Sequence, residues 1–167
     1  GLRYPDRERV GRRMSAGAEK PMVALLTDFG AADPYVGMMK AAILEVCPVA
    51  ALVDISHDVE PQGVPQGAFL LGASLPHLPP DAVIVAVVDP GVGTARRALA
   101  VRIGSRLLVG PDNGLLSRAW ESAGPGERVA YELDRGEFWR AEVSDTFHGR
   151  DVFAPVAAHL ADGVAIE

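Results

Sequence analysis

Asp28, Asp89, Arg96 and His148 stand where their residue types could do chemistry. Asp89 closes the apolar run Val83 to Val88 and is followed by Pro90, Gly91 and Gly93, which turn the backbone and let it approach a ligand closely. Arg96 and Arg97 come next. Asp28 closes a second apolar run, Met22 to Leu26, within Thr27-Asp28-Phe29-Gly30, and Asp33 and Tyr35 lie just beyond it. His148 shares the stretch Ser144 to Asp151 with Arg150 and Asp151. A carboxylate and an imidazole can take or relay a proton, while a permanently charged guanidinium can stabilise an oxygen that is gaining negative charge. Each residue also has a plainer explanation. Asp89 could cap its turn beside solvated arginines, and His148 could be a structural residue ahead of a helix. Asn113, in Pro111-Asp112-Asn113-Gly114, reads as a turn or cap residue.

The elements that must position these side chains follow from periodicity. Val83 to Val88 is continuous, largely β-branched and apolar, as expected of a strand covered on both faces. Met22 to Leu26 and Ala51 to Ile55 read as strands, the latter ending in Ser56-His57-Asp58. Between them Val36, Met39, Ile43, Val46 and Cys47 recur at helical spacing, with Asp33 as expected N-cap and Pro34 at the first helical position. Val64 to Leu75 reads as a second helix, packing Phe69, Leu70 and Leu71 inward. Ala98 to Ile103 and Arg106 to Val109 form a hairpin around Gly104-Ser105. A short helix is expected from Pro111-Asp112-Asn113-Gly114 through Trp120, a strand over Val129 to Leu133, loops at 124–126 and 134–137, and an apolar helix over Val152 to Leu160. Strand, helix, strand, helix and strand in this order predict an α/β fold: a mainly parallel central sheet with helices on both faces. Both Asp28 and Asp89 then fall at carboxyl ends of strands, the edge where such sheets bind ligands.

With 167 residues, 49% hydrophobic and 23% charged, the chain is sized for one ordinary α/β domain. The expected division is a disordered leader over 1–20, basic with Arg3, Arg7, Arg9, Arg12 and Arg13, and a catalytic domain over 21–167. A formal net charge of −6 speaks against nucleic acid as a partner. No apolar run is long enough for a membrane span, so no membrane partner is expected. Cys47 is the one cysteine and reads as core, which excludes an internal disulfide and favours a reducing, cytoplasmic setting. The four histidines lack ligand spacing, so no metal is expected. Gly91-Val92-Gly93-Thr94-Ala95-Arg96 has arginine where the dinucleotide fingerprint needs its third glycine, and no P-loop signature occurs.

Taken together, LLTDFG, DPYVGMMKAAIL, VDISHDVEPQGVPQGA, VVDPGVGTARR, GPDNGLL and TFHGRDVFAP, in order from Leu25 to Pro155, resemble the S-adenosyl-L-methionine hydroxide adenosyltransferases, relatives of the fluorinating and chlorinating enzymes. The resemblance implies a catalytic set of Asp89, Arg96 and His148. It also implies that Asp28 holds the ribose hydroxyls, a role that suits a carboxylate able to accept two hydrogen bonds from a vicinal diol. Asp33 and Tyr35 are further substrate-binding candidates. Halide-installing members carry tyrosine in place of Asp89 and tyrosine-serine in place of His148-Gly149; this chain carries neither, so water is the expected nucleophile.

The expected reaction is hydrolysis of S-adenosyl-L-methionine to adenosine and L-methionine by in-line attack on ribose C5′. The sulfonium leaves as a neutral thioether and needs no general acid, so the difficulty lies in water, whose pKa is about 15.7. Either Asp89 or His148 could serve as base. S-adenosyl-L-methionine is substrate, and no cofactor is implied. By resemblance the assembly is a homotrimer, and members continue into a small β-rich second domain that helps line the pocket. The expectation is therefore that this chain holds the first domain and part of the pocket. The alternative is a catalytically silent nucleoside-binding or assembly module.

Overall fold

A computed structural model describes residues 2–3 and 20–166. The elements are β1 (Leu2–Arg3), β2 (Met22–Thr27), α1 (Tyr35–Val46), β3 (Ala51–Ser56), α2 (Val64–Ser74), β4 (Val83–Val87), β5 (Ala98–Ile103), β6 (Arg106–Pro111), α3 (Ser117–Glu121), β7 (Arg128–Glu132), α4 (Ala154–Ala161) and β8 (Ala165–Ile166). β1 and β8 form a two-residue antiparallel ladder. Apart from Leu2, Arg3 and Lys20, the expected leader lies outside the described residues.

The remaining strands make one six-stranded sheet in the order β3-β2-β4-β6-β5-β7. β3, β2, β4 and β6 run parallel, while β5 is antiparallel to β6 and β7. The sheet is thus mostly parallel in an α/β fold, with the antiparallel hairpin expected around Gly104. At the centre β4 is buried along its whole length, as its unbroken apolar run requires. Alternate residues of a strand point to opposite faces. Accordingly Val23 and Leu25 enter a cluster with Met39 and Ile43 of α1 and Val156 and Ala157 of α4. Ala24 and Leu26 enter another with Leu71 of α2 and Ala119 of α3. Among the described residues no helix is long and apolar enough to cross a membrane.

Four local expectations need correction. In α2 Leu71 is buried and Leu70 packs against the core, but Phe69 faces solvent, 66% exposed, because it lies off the helix face that meets the sheet. Pro34, not Asp33, occupies the N-cap of α1, and no side chain caps it. The helix expected from 111–114 begins only at Ser117, because Asn113 is held by other bonds: its amide donates to Val88 O at 2.8 Å, and its Oδ1 accepts from Leu115 N–H at 3.1 Å. Such side-chain to backbone bonds offer the chain an alternative to helix. The last helix does not start cleanly at Val152: a π-helical turn, Gly149–Phe153, precedes α4.

Candidate active site

The chain leaves β2 through α1 to β3 on one side, then returns through α2 to β4 on the other side of β2. The strand order therefore reverses between β2 and β4, which are paired up to Thr27 and Val87. Crevices at the carboxyl ends of strands at such a reversal are the usual ligand sites of open α/β sheets. Asp28 follows β2 directly and Asp89 follows β4 by two residues, so the two carboxylates stand at adjacent strand ends.

Beyond β4 the backbone folds back tightly, with Thr94 Oγ1 donating to Gly91 O at 2.6 Å. This turn brings Arg96 onto Asp89. Arg96 Nε donates to both carboxylate oxygens at 3.0 Å, and Nη2 donates to Oδ2 at 2.5 Å. The pair is nearly closed off from solvent, with side-chain exposures of 10% for Arg96 and 4% for Asp89. The guanidinium also sits over the Phe153 ring, 5.3 Å from its centroid, a favourable seat for a cation. Arg97 turns outward to an exposed pair with Asp112 at 2.6 Å, and does not join Asp89.

His148 reaches the same guanidinium from the far end of the chain, with Nδ1 2.8 Å from Arg96 Nη2. A guanidinium can only donate, so Nδ1 must accept. The neutral ring then carries its proton on Nε2. Burial above all, and then the Arg96 charge, hold the His148 pKa below the ordinary imidazole value, although Asp89, Asp151 and Asp145 oppose them. Charge and geometry thus agree on a neutral ring with an Nε2–H donor.

Packing fixes the loop that carries His148. Phe147 makes edge-to-face contacts with Phe29 and Tyr35, at centroid distances of 5.8 and 5.4 Å. Gly93 has φ of +75°, and a Cβ there would stand 2.6 Å from Asp145 O, so the Asp89 and His148 loops touch backbone to backbone. Asp151 is fully buried. It accepts from Ser144 N–H at 3.0 Å and from Arg150 Nε at 2.6 Å, tying the loop's two ends together. Burial raises its pKa, but the bonds from Arg150 and Ser144 and the charges of Arg150 and Arg140 outweigh that, holding the carboxyl below its usual range. Sequence reasoning placed Asp151 beside His148 without seeing this clasp. Its position at the head of an apolar helix was the available signal.

Of the sequence-derived candidates, Asp89, Arg96 and His148 come together in direct contact. Asp28 lies one strand away, its Oδ2 accepting from Gln62 N–H at 2.8 Å. Tyr35 is half-exposed and joins through its contact with Phe147. Asp33 is exposed in the loop after β2, and no contact connects it with the three. Asn113 anchors its own loop to Val88, next to Asp89, a supporting place rather than a reacting one. Among the described residues no group of three or more His, Cys, Asp or Glu is placed to hold a metal ion.

Residues 23–167 match the family model of the SAM hydroxide adenosyltransferase N-terminal domain. The chain is 48% identical over 149 residues to the (R)-S-adenosyl-L-methionine hydrolase of Salinispora tropica, covering 89% of this chain and 56% of that protein. It is also 48% identical to the enzyme of the same name from Thermus thermophilus, over 87% of this chain and 58% of that one. A fluorinase from an Actinoplanes species is 32% identical, over 86% and 55%. The chain thus spans about half the length of the curated relatives it matches. A crystal structure of an uncharacterized conserved protein from Thermotoga maritima superposes with a TM-score of 0.81 at 42% identity, covering 86% of this chain and 55% of that one. With a model matched along nearly its whole length, on a sheet whose strand reversal carries both carboxylates, the chain belongs to the SAM hydroxide adenosyltransferase family through that family's N-terminal domain.

Proposed function

We propose that the protein hydrolyses S-adenosyl-L-methionine, in the (R) sulfonium form named for its relatives, to adenosine and L-methionine. The observation that carries this reading is Arg96 bonded at once to Asp89 and His148 at the carboxyl edge of the sheet. Water oxygen attacks ribose C5′ in line, the C5′–S bond breaks with its electron pair going to sulfur, and methionine leaves as a neutral thioether. The water proton passes to Asp89 and then to solvent.

The tautomer favours Asp89 over His148 as base. A basic Nε2 would put the ring proton on Nδ1, which already faces an Arg96 N–H, and two donors cannot bond each other. His148 instead offers Nε2–H to the attacking oxygen, while Arg96 supplies positive charge close to where negative charge develops. Asp28 accepts the ribose diol from the neighbouring strand end, with Asp33 and Tyr35 as further substrate contacts at the rim. A homotrimer belongs to the same proposal and rests on the family resemblance. So does a cytoplasmic setting, supported by the buried, unpaired Cys47.

The test is incubation with S-adenosyl-L-methionine in ¹⁸O water and chromatography with mass detection. Adenosine labelled at its 5′ oxygen, formed by wild type and lost in Asp89→Asn, is the expected result. Binding without product would favour the silent nucleoside-binding module instead.

A further inference from the structure

The loop that carries Asp28 is gripped by one residue of the neighbouring strand end, and that residue is His57. Its ring Nδ1 lies 2.8 Å from Thr27 Oγ1, and its main-chain carbonyl accepts from Gly30 N–H at 2.8 Å. The two bonds bracket Asp28, one on each side. Thr27 is completely buried. Its oxygen also accepts from Phe29 N–H at 3.3 Å, and because the Asp54 carboxylate beside the ring's other nitrogen can only accept, the hydroxyl hydrogen goes to Nδ1. The ring proton then belongs on Nε2, which lies 3.0 Å from Asp54 Oδ1 though poorly aligned with it. Lys40 closes the chain with a 2.7 Å bond to the other Asp54 oxygen. Five residues further on, Gln62 adopts φ of +62°, a region unusual for such a residue, and from there donates its N–H to Asp28 itself.

We propose that His57 is a positioning residue for nucleoside recognition: held by Asp54 and Lys40, it fixes the turn Thr27–Gly30 so that Asp28 presents its free carboxylate edge to a vicinal diol. The inference rests on the reading of Asp28 as the diol acceptor. A carboxylate receives two parallel hydroxyls only in a narrow range of orientations, and a loop of four residues gains such an orientation from bonds on both sides of the acceptor. His57 makes no contact with Asp89, Arg96 or His148, so its effect falls on affinity for the ribose and not on the chemical step.

The test is binding of adenosine and of 2′,3′-dideoxyadenosine, measured by calorimetry for wild type, His57→Asn, His57→Gln and Thr27→Val. Wild type is expected to prefer adenosine by about tenfold or more, as for hydrogen bonds to a charged acceptor. Asparagine carries an oxygen on the same carbon that bears Nδ1 and keeps most of that preference, whereas glutamine places its amide one bond further out and loses it. Thr27→Val, nearly isosteric in the core, should lose it too, with dideoxyadenosine affinity little changed throughout. In turnover, His57→Gln should raise KM for S-adenosyl-L-methionine and leave kcat close to wild type. A merely structural role would weaken both nucleosides alike. Wild-type preference retained in both His57→Gln and Thr27→Val overturns the positioning role while leaving the Asp28 reading intact. No preference in wild type overturns the Asp28 reading, and the inference with it.

Discussion

Arg96 and His148 lie 52 residues apart in sequence, yet Nη2 of one meets Nδ1 of the other at 2.8 Å. That single contact decides which way the imidazole faces its proton, and the first expectations concern it.

His148→Ala and Asp89→Ala should each lower kcat by about 10²–10⁴, the usual range for a group acting on the proton or oxygen in the transition state, with little change in substrate affinity. His148→Gln is the more discriminating variant, since its amide N–H can replace an Nε2–H donor but not a base. It should retain at least about tenfold more activity than His148→Ala. Equal activity of the two variants in steady-state assays would count against the donor role.

Asp28→Asn should raise KM and weaken adenosine binding by about tenfold or more while kcat changes little, because an amide keeps the shape and loses the charge-assisted bonds. Unaltered affinity by calorimetry would reduce Asp28 to a turn residue.

The acid limb of kcat/KM should fall below the ordinary imidazole pKa of about 6.5, since burial and Arg96 keep His148 neutral. Stability follows the same sign. His148 and His159, the latter also lowered by burial, take up protons less readily when folded. Their contribution is therefore intact above about pH 6.5 and declines as pH drops towards the lowered folded values. The depressed carboxyls of Asp54 and Asp151 add a further loss as pH falls below about 4. Urea titrations across this range measure both steps.

Asp151→Asn should cost roughly 1.5–3 kcal/mol in unfolding free energy, as for hydrogen bonds to a charged group, and should lower turnover by loosening the loop around His148. A variant with wild-type stability would show that Arg150 and Ser144 find other partners.

Gly93→Ala should reduce turnover more than stability. Its methyl would collide with Asp145 O, and its φ is one that side chains disfavour, so the 144–148 loop must move away from Arg96. Adenosine binding through Asp28 should survive, and a crystal structure of the variant would show the displacement.

Much of the sheet was legible in the sequence, because Val83 to Val87 is apolar at every position and needs cover on both faces. Asp89, Arg96 and His148 stood out through the ordered motifs around them, and the structure brings the three side chains into contact. What stayed hidden depends on partners distant in sequence. Asp33 has the right residue type for a cap, but its side chain does not serve one. Asn113 looks like a helix opener until Val88, just past the end of β4, supplies its carbonyl as a better partner. His57 reads as punctuation after a strand, and its role emerges only when β3 is laid parallel to β2. Asp151 needs Ser144, Arg140 and Arg150 folded round it before a buried charge there makes sense.

The π turn from Gly149 to Phe153 makes segment length a trait in its own right. Its wider ring, closed by Ala154 N–H on Gly149 O, holds one residue more than an α-helical ring would. Five residues of the wider turn cover about the angle that four cover in an α-helix, roughly 400°. Deleting one would therefore let the segment relax into ordinary helix, would leave His148 nearly unrotated relative to α4, and would swing the side chains inside the segment, Asp151 among them. The shorter chain would be the better helix former and would lose the Asp151 bond to Ser144 that holds the loop around His148. Selection that acts on the chemistry would then read an insertion or deletion at this point as it reads the loss of a reacting side chain, whereas the same event in an exposed loop would pass unnoticed.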